Sequence, residues 1–373
     1  TCLSSVDFRL SVPTWSATLA ANWLRELSDG YIKFDFDLLK KLPGPVVVKT
    51  SNADPIQKSC ADEPVLSPSR GSAKPYYIGI PEGTGIALAD FTWSEPEQLE
   101  LKRTPMYELH KRLGARIVPF AGWEMPVQYS SIMDEHQATR QAAGLFDVAH
   151  MGVYQTEGPE AAAFLDSVCG NDITGLLPGE SCYTHFMAPN ASVIDDTLVY
   201  RRSPEKYLVV VNASNDDKDW AWLNAVREGQ VKVDSKRPWA QVYGRGVNLR
   251  NLRDEEAGED MRVDIALQGP KSRDILLALG VDAENKQRVM KLKRTELCDA
   301  VVGGFDMIVS RTGYTGEKMA FELFVHPDRA AELFESLLNV GQIVGLKPVG
   351  LGARDSLRTE AGLPLYGHEM GLD

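Results

Sequence analysis

The stretch FELFV at residues 321–325, together with residues 327–340 after it, decides the fold of this chain. The first segment is short, apolar and rich in aromatic side chains, which is typical of a buried strand. The second opens with a proline, a preferred first residue of a helix. Its apolar side chains recur at helical spacing: Leu333, Phe334, Leu337 and Leu338. That spacing predicts a helix whose apolar face covers a sheet.

The same succession of strand and helix occurs twice earlier in the chain. YLVVV at residues 207–211 leads into residues 212–226, and VDIAL at residues 263–267 precedes a helix that opens at Gly269. Strands that alternate with helices of this length favour helix-covered sheets over a helix bundle or a β-sandwich. The sequence therefore predicts an α+β fold built from split βαβ, or ferredoxin-like, layers.

The composition is that of a soluble globular enzyme. The 373 residues are 43% hydrophobic and 25% charged, and a chain of this length is expected to form two or three packed units. The net charge of −12 and the pI of about 5.1 argue against nonspecific binding to nucleic acid or to an acidic membrane. We find neither a membrane-spanning apolar segment nor a secretion signal. We therefore expect a cytoplasmic protein, or one of the mitochondrial matrix if the source is eukaryotic.

Changes in sequence character divide the chain into three parts. Residues 1–75 form an N-terminal extension and linker of unknown role, and residues 76–102 connect them to a regular region, residues 103–373. The regular region opens with Thr104 before a proline, which is typical of a helix N-cap and a first helical residue. The insertion 231–261 alternates arginine with acidic residues, which fits either a solvated excursion or a docking surface for a partner.

Common signatures of metal and phosphate sites are missing from the sequence. The six histidines never occur at the HxxxH spacing or beside clustered cysteines, so no metal site is predicted. There is also no GxGxxG motif, Walker loop or GxSxG elbow. The five cysteines are scattered without a CxxC pair, and we expect them to be reduced thiols.

Two adjacent carboxylates interrupt the strand-like run ASVIDDTLVY at residues 191–200. Ionised groups are costly in an apolar strand unless something binds them, so Asp195 and Asp196 require a ligand or a partner. Because strand side chains alternate in direction, one aspartate faces inward and the other reaches the opposite face of the sheet. The inward aspartate is the functional candidate, and a turn cap or an ion pair with an arginine is the structural alternative.

Two segments before this strand have compositions suited to lining a flat ligand. FAGWEMPVQY at residues 120–129 combines aromatic residues with glycine and proline, as expected of a shaped loop. LFDVAHMG at residues 145–152 offers Met151, whose soft side chain suits the face of an aromatic ring. Taken singly, each segment fits core packing equally well.

Two segments near the C-terminal end of the sequence add polar groups. SRTGYTGE at residues 310–317 presents Tyr314 between two glycines, and Glu322 follows on the next strand. GARDSLRTEAG at residues 352–362 is a helix that carries Arg354, whose planar group recognises carboxylate-bearing or electron-rich ligands. An exposed charged helix is the alternative. A ligand with an aminopyrimidine-like ring would suit the combined set, which is one aspartate of the pair 195–196 with Tyr314, Glu322 and Arg354.

Residues 103–373 resemble the glycine cleavage T-protein, or aminomethyltransferase, family, because its motifs occur in the same order. The motifs are FAGWEMPVQY, GLFDVAHMG, SVIDDTLVY, ALQGPKSRDIL, RTGYTGE and LGARDSLRTEAGLPLYGHE. The resemblance implies a folate-binding enzyme that transfers a one-carbon unit to tetrahydrofolate and releases ammonia. The donor would be an aminomethyl group on the lipoyl arm of the H-protein, so the implied partners are H-protein and tetrahydrofolate, with no nucleic acid and no membrane.

The resemblance also implies roles for individual residues. The family's catalytic aspartate falls on Asp196. Its folate contacts fall on Met151, Asn212, Tyr314, Glu322 and Arg354. Attack by a folate nitrogen on the aminomethyl carbon needs a carboxylate that orients the amine and stabilises the developing positive charge, which is the role expected of Asp196. Glu322 is expected to bind the amino-pyrimidine edge of the pterin.

The sequence departs from the family pattern in three places. The segment from Tyr314 to Glu322 is one residue longer, so Glu317 competes with Glu322 for the ring, and the insertion 231–261 is also longer than usual. The family continues into a small C-terminal β-barrel, so the resemblance implies that a barrel is missing from a chain that stops at Asp373. Two alternative functions stay open: a tetrahydrofolate-dependent demethylase of another methylated compound, and a noncatalytic folate-binding module.

Overall fold

The computed structural model describes residues 86–96, 100–240 and 246–371, with a few short stretches before residue 50. By its internal contacts the chain divides into two units, Thr1–Ser67 and Pro68–Asp373. Most of the predicted N-terminal extension, and part of the predicted connecting segment, lie outside the described residues. In the first unit, β1 (Cys2–Ser4) and β2 (Asp7–Phe8) form an antiparallel two-stranded ribbon.

The second unit contains the strands and α-helices that build the two large sheets and their covering layers. Its strands are β3 (Lys102–Arg103), β4 (Arg116–Phe120), β5 (Trp123–Gln128), β6 (Ala143–Asp147), β7 (Gly152–Glu157), β8 (Ser181–Met187), β9 (Val193–Ser203), β10 (Lys206–Val211), β11 (Asn248–Asn251), β12 (Val263–Gln268), β13 (Leu297–Val302), β14 (Phe305–Ser310), β15 (Ala320–Val325) and β16 (Leu346–Val349). Its α-helices are α1 (Tyr107–Arg112), α2 (Ile132–Gln141), α3 (Ala161–Val168), α4 (Asp216–Arg227), α5 (Ser272–Ala278), α6 (Ala283–Lys291), α7 (Pro327–Gly341) and α8 (Leu351–Glu360).

Two large sheets organise this unit. One is antiparallel, in the order β11-β7-β10-β9-β8, and the other has the order β13-β14-β15-β12-β6-β16. In the second sheet β16 runs parallel to β6, and the other neighbours are antiparallel. It follows that β15 and β16 run in the same direction with β12 and β6 between them, so β15, α7 and β16 form a split βαβ unit. A smaller sheet, β3-β5-β4, precedes both.

Helices cover the outer face of each large sheet, and the inner faces pack against each other. α7 buries Leu333 and Phe334 against the six-stranded sheet, and α4 buries Trp222 against the five-stranded sheet. Between the sheets, Tyr200 of β9 and Phe324 of β15 belong to one apolar cluster. Burial of each large apolar side chain contributes about 1.5–3 kcal/mol. The layers therefore run helix, sheet, sheet, helix, in a mixed α/β architecture.

The predicted pairs of strand and helix are confirmed: β10 leads to α4, β12 to α5, and β15 to α7. The predicted start of this helix, with Thr104 as the N-cap and Pro105 as the first helical residue, is wrong by two residues, because α1 begins at Tyr107 with Met106 as its N-cap. The Thr104 hydroxyl does not cap that helix; it donates to Asp147 Oδ2 at 2.6 Å. The insertion 231–261 contributes β11, which pairs with the edge of β7. Among the described residues, no helix is both long enough and apolar enough to cross a membrane.

Helix α8 is the element that brings charge to the inner face of the six-stranded sheet. Its Ala353 and Leu357 are buried against a small cluster that includes Ala266 of β12. Ala266 pairs directly with Glu322 of β15, and directly paired residues share one face of a sheet. Arg354 follows Ala353 in α8 and lies within electrostatic reach of Glu322.

A buried polar group fixes the N-terminal part of this unit to the six-stranded sheet. His110 Nε2 lies 2.7 Å from Asp147 Oδ2, and the Tyr129 hydroxyl lies 2.8 Å from His110 Nδ1. The Ala149 N–H and the Thr104 hydroxyl also donate to the Asp147 carboxylate. Burial alone would raise the pKa of Asp147, but these hydrogen bonds and the nearby imidazole hold it below its usual value.

Replacing Asp147 by asparagine is expected to lower the free energy of unfolding by about 3 kcal/mol, because buried donors lose their charged acceptor. Urea denaturation at neutral pH measures this loss. Since the folded-state pKa is depressed, the contribution is fully present above the ordinary value of 3.8 and is lost as the pH falls below it. The control is Asp299→Asn, which breaks a largely exposed bridge to Arg202 and is expected to cost below about 1 kcal/mol. Equal losses in the two variants would contradict the prediction.

Candidate functional site

β9 presents Asp195 and Asp196 to opposite sides of the five-stranded sheet. Asp196 shares a face with Tyr200, which belongs to the core between the sheets, whereas Asp195 shares a face with Val199, which packs under α3 and α4. Asp195 is fully buried and Asp196 is half-buried. The inward position favoured by the strand argument is therefore that of Asp195. The aspartate matched by the family resemblance, Asp196, faces the space between the two sheets.

Both carboxylate oxygens of Asp196 accept hydrogen bonds. The Tyr183 hydroxyl donates to Oδ2 at 2.8 Å, and the Asn212 side-chain amide donates to Oδ1 at 2.7 Å. Tyr183 comes from β8, where it pairs with Leu198, and Asn212 directly follows β10. Burial and the Asp196 carboxylate raise the pKa of Tyr183, so its phenol stays protonated and donates. The carboxylate is thus held from two neighbouring strands.

Glu322 is held in a similar way on the facing inner face of the six-stranded sheet. The Tyr200 hydroxyl donates to Glu322 Oε2 at 2.8 Å, and the Thr312 hydroxyl donates to the same oxygen. Burial raises the pKa of Glu322, although these hydroxyls and Arg354 oppose the rise. Tyr200 lies four residues after Asp196, which corresponds to about 13 Å along a strand. Asp196 and Glu322 therefore line separate parts of the space between the two sheets.

A second acid, Asp264 of β12, lies close to Glu322. It is only 2% exposed, and burial together with the Glu322 charge raises its pKa well above the usual value. Burial and the charge of Glu322 thus both favour the neutral form of the Asp264 carboxyl. Among the described residues no group forms a hydrogen bond with its Oδ1 atom.

Arg354 lies between an aromatic ring and an imidazole. Its guanidinium carbon is 5.1 Å from the centre of the Tyr314 ring, and its Nη1 is 3.5 Å from His150 Nε2. Burial and the nearby charge of Arg354 lower the pKa of His150 to about 3, so this histidine is neutral. Its Nδ1 atom is buried and, like Asp264 Oδ1, has no hydrogen-bond partner among the residues described.

Tyr314 and Met151 complete the arrangement. The Tyr314 N–H donates to Gln268 at 3.1 Å, and its hydroxyl donates to the Pro364 carbonyl at 2.6 Å. Burial raises the pKa of Tyr314, and the Asp196 carboxylate adds to the rise, which places Asp196 within electrostatic reach of the ring. Met151 packs against both the core between the sheets and the cluster under α8. The six residues selected from the sequence thus lie in one region.

Glu317, the competitor of Glu322 in the longer loop, has a different partner. Its carboxylate accepts from Arg140 Nη1 at 2.7 Å, and Arg140 also pairs with Glu360 at 3.2 Å. The Tyr200 and Thr312 hydroxyls both reach Glu322. This geometry favours Glu322 over Glu317 as the acid that faces the space between the sheets.

Three polar residues of this region were not selected from the sequence: Tyr183, His150 and Asp264. His150 stands in the quoted segment 145–152, but its spacing indicates no role. Asp264 interrupts the apolar run 263–267 as Asp195 and Asp196 interrupt theirs, and that signal was available. Tyr183 carries no comparable signal, because only the pairing of β8 with β9 brings it to Asp196.

Comparisons with known proteins identify the family. The family model described as GCVT N-terminal domain matches residues 106–373. The aminomethyltransferase of Symbiobacterium thermophilum is 46% identical over 272 residues, which are 72% of this chain and 66% of that protein. The aminomethyltransferase of Alkaliphilus oremlandii is 41% identical over 274 residues, 74% of this chain and 67% of that protein.

A solved structure gives the same answer. The glycine cleavage system aminomethyltransferase T from Bartonella henselae is 33% identical, with a TM-score of 0.61, and the match covers 74% of this chain and 66% of that one. The chain thus spans about two thirds of the length of the relatives it matches. Because the family model covers well over half of its residues, the chain belongs to the GCVT N-terminal domain family.

Proposed function

We propose that this protein transfers a one-carbon unit from an aminomethyl group on the lipoyl arm of an H-protein to tetrahydrofolate, with release of ammonia. The relatives named above are aminomethyltransferases, and one belongs to a glycine cleavage system. The observation that carries the proposal is the placement of Asp196. It faces the space between the sheets with both oxygens held, on the same face as Tyr200, whose hydroxyl donates to Glu322 of the facing sheet.

The pterin end of tetrahydrofolate is assigned to the Glu322 region. Both protein donors reach Glu322 Oε2, so Oε1 is the atom proposed to accept from the amino-pyrimidine edge. Asp264 Oδ1 and His150 Nδ1, which lack partners among the described residues, fit a ligand that offers both acceptors and donors. The guanidinium of Arg354 lies over the Tyr314 ring and supplies a fixed positive charge beside the proposed position of the pterin.

Asp196 is assigned to the reacting end. When bound, tetrahydrofolate supplies the nucleophilic amine, and Asp196 is placed to orient that amine and to stabilise the positive charge that develops on it. Tyr183 and Asn212 hold the carboxylate in advance, so it need not reorient during the reaction. Met151 and Tyr314 are proposed to exclude water from the reactive carbon.

The same proposal extends to the architecture. We assign residues 103–373 to the folate-binding region of the family, with the two helix-covered sheets as its ferredoxin-like layers. The split βαβ unit of β15, α7 and β16 supports this assignment for the six-stranded sheet.

The test combines the full chain with tetrahydrofolate and aminomethylated H-protein and measures ammonia release. Release that requires the lipoyl group of the H-protein supports the proposal. Activity only on free methylated compounds would replace it with the demethylase function. Binding of tetrahydrofolate in calorimetry without turnover of any donor would reduce the protein to a noncatalytic folate-binding module.

A further inference from the structure

A buried polar cluster lies behind Asp196, on the helix-facing side of the same strand. Asp195 of β9 is fully buried there, and Asp219 of α4 is equally buried. Asn212 and Asn215, from the loop that joins β10 to α4, lie between these acids and the candidate site. The proposed reaction uses neither acid.

Asp195 lies close enough to Asp219 for its charge to raise the pKa of the Asp219 carboxyl. Two buried charges this close repel each other, which favours a proton on one of the two acids. No nitrogen or hydroxyl of the described residues donates to Asp219. Asp195, by contrast, accepts from the Asn212 N–H at 3.0 Å, from the Asn212 side-chain amide at 2.9 Å and from the Asn215 side-chain amide at 2.5 Å. The donors therefore select Asp195 as the ionised partner and Asp219 as the protonated one.

The surrounding charges agree with this assignment. Burial raises the pKa of Asp219 well above its usual value, and the Asp195 charge adds to the rise. The other titratable groups that act on Asp219 are Lys218, Asp216 and Tyr154. The Lys218 ammonium opposes the rise, but it donates to the Asn215 side-chain oxygen at 2.9 Å.

Asp195 also fixes the group that holds Asp196. The Asn212 side-chain amide has two hydrogens. One is directed to Asp195 Oδ1, which leaves the other for the Asp196 carboxylate at 2.7 Å and the Asp196 carbonyl at 3.1 Å. Rotation of the Asn212 side chain would break contacts on both sides. The orientation of Asp196 therefore depends on an acceptor at position 195.

We propose that Asp195 is a positioning residue that orients Asn212 and, through Asn212, the carboxylate of Asp196. Asp195 touches no reacting group in this scheme, and its effect passes entirely through Asn212. The inference rests on the proposed function for its catalytic consequence. The orientation of Asn212 itself can be observed without turnover.

The experiment compares two isosteric variants of the full chain, Asp195→Asn and Asp219→Asn. In Asp219→Asn the side chain at 219 is neutral, as in the protonated acid, and the contacts of Asp195 with Asn212 and Asn215 remain. Ammonia release is therefore expected within about threefold of the unaltered chain. In Asp195→Asn one acceptor oxygen becomes a donor that faces either the two asparagine side-chain amides or the Asn212 backbone N–H. Either orientation disturbs Asn212, so kcat is expected to fall by about 10- to 100-fold. The dissociation constant of tetrahydrofolate is expected to stay within about threefold, which a general loss of structure would not allow.

A second measurement does not depend on activity. In the full chain labelled with 15N-asparagine, the Asn212 side-chain amide signals are assigned by their disappearance in Asn212→Ser. We expect these signals to shift in Asp195→Asn and to stay in place in Asp219→Asn. If the unaltered chain releases no ammonia, the proposed function fails, and the spectra alone then decide this inference.

Two results would overturn the inference. One is an Asp195→Asn variant with unchanged kcat and unmoved Asn212 signals. The other is an Asp219→Asn variant that is as impaired as Asp195→Asn, because the proton would then be wrongly assigned. If Asp195→Asn does not fold, Asn212→Ser replaces it, since it keeps the backbone N–H bond to Asp195 and removes the side-chain amide that links Asp195 to Asp196. Normal kcat in Asn212→Ser would likewise refute the inference.

Discussion

Replacing Asp196 by asparagine is expected to lower ammonia release from aminomethylated H-protein by about 100-fold or more, with little change in stability. The variant keeps the shape of the side chain but loses the negative charge proposed to orient the amine and to offset its developing positive charge. The local contacts can persist: the new amide oxygen can accept from Asn212, and the new amide nitrogen can donate to the Tyr183 oxygen. Steady-state kinetics and thermal unfolding of the same preparation measure the two quantities.

The matched control for this variant is Asp217→Asn. Asp217 is an exposed aspartate in the first turn of α4, close in sequence to the loop that contains Asn212. Its replacement also removes one negative charge, and turnover is expected to stay within about twofold. Turnover of Asp196→Asn that matches this control would remove Asp196 from the reaction.

The parts of the fold that could be predicted from the sequence depend on short-range patterns. α7 carries its apolar stripe within one segment and opens with a proline, so its bounds follow closely from the sequence. The start of α1 does not, because Thr104 has a tertiary partner in Asp147 that competes with its role as a cap. The packing of the two sheets against each other depends on contacts such as that of Tyr200 with Phe324, which no local pattern contains.

The candidate site shows the same division. Strand alternation correctly separates Asp195 from Asp196, but it does not reveal which side of the sheet is covered by helices and which faces the second sheet. Burial by itself points to Asp195, and only the family resemblance selects Asp196. The contact of Tyr183 with Asp196 follows from the register of β8 on β9, and a register between separate strands is fixed by tertiary packing.

Replacing Glu322 by glutamine is expected to weaken tetrahydrofolate binding by about 10- to 100-fold. A hydrogen bond to a charged group contributes about 1.5–3 kcal/mol, and the variant offers a neutral amide where the pterin edge is proposed to donate. The Tyr200 and Thr312 hydroxyls can rotate to suit the amide, so the fold is expected to survive. Titration calorimetry under anaerobic conditions measures the dissociation constant.

The pH dependence of binding gives the same residue a second test. Burial raises the pKa of Glu322 above the ordinary value of 4.5, so protonation begins at a higher pH than for an exposed glutamate. Because the ionised form is the proposed acceptor, tetrahydrofolate affinity is expected to fall as the pH drops through this raised pKa. Glu322→Gln has no such proton to bind, so its affinity should change less over the same range.

The longer loop of this chain supplies the control for both measurements. Glu317→Gln removes the same charge from the acid that competes with Glu322 in the sequence, but Glu317 is paired with Arg140. We expect the tetrahydrofolate dissociation constant of Glu317→Gln to stay within about threefold of that of the unaltered chain. The pH dependence of its tetrahydrofolate binding is expected to be unchanged. A large loss of affinity in Glu317→Gln with little loss in Glu322→Gln would transfer the pterin contact to Glu317, and the inner face of β15 would then not be the place where the ring is recognised.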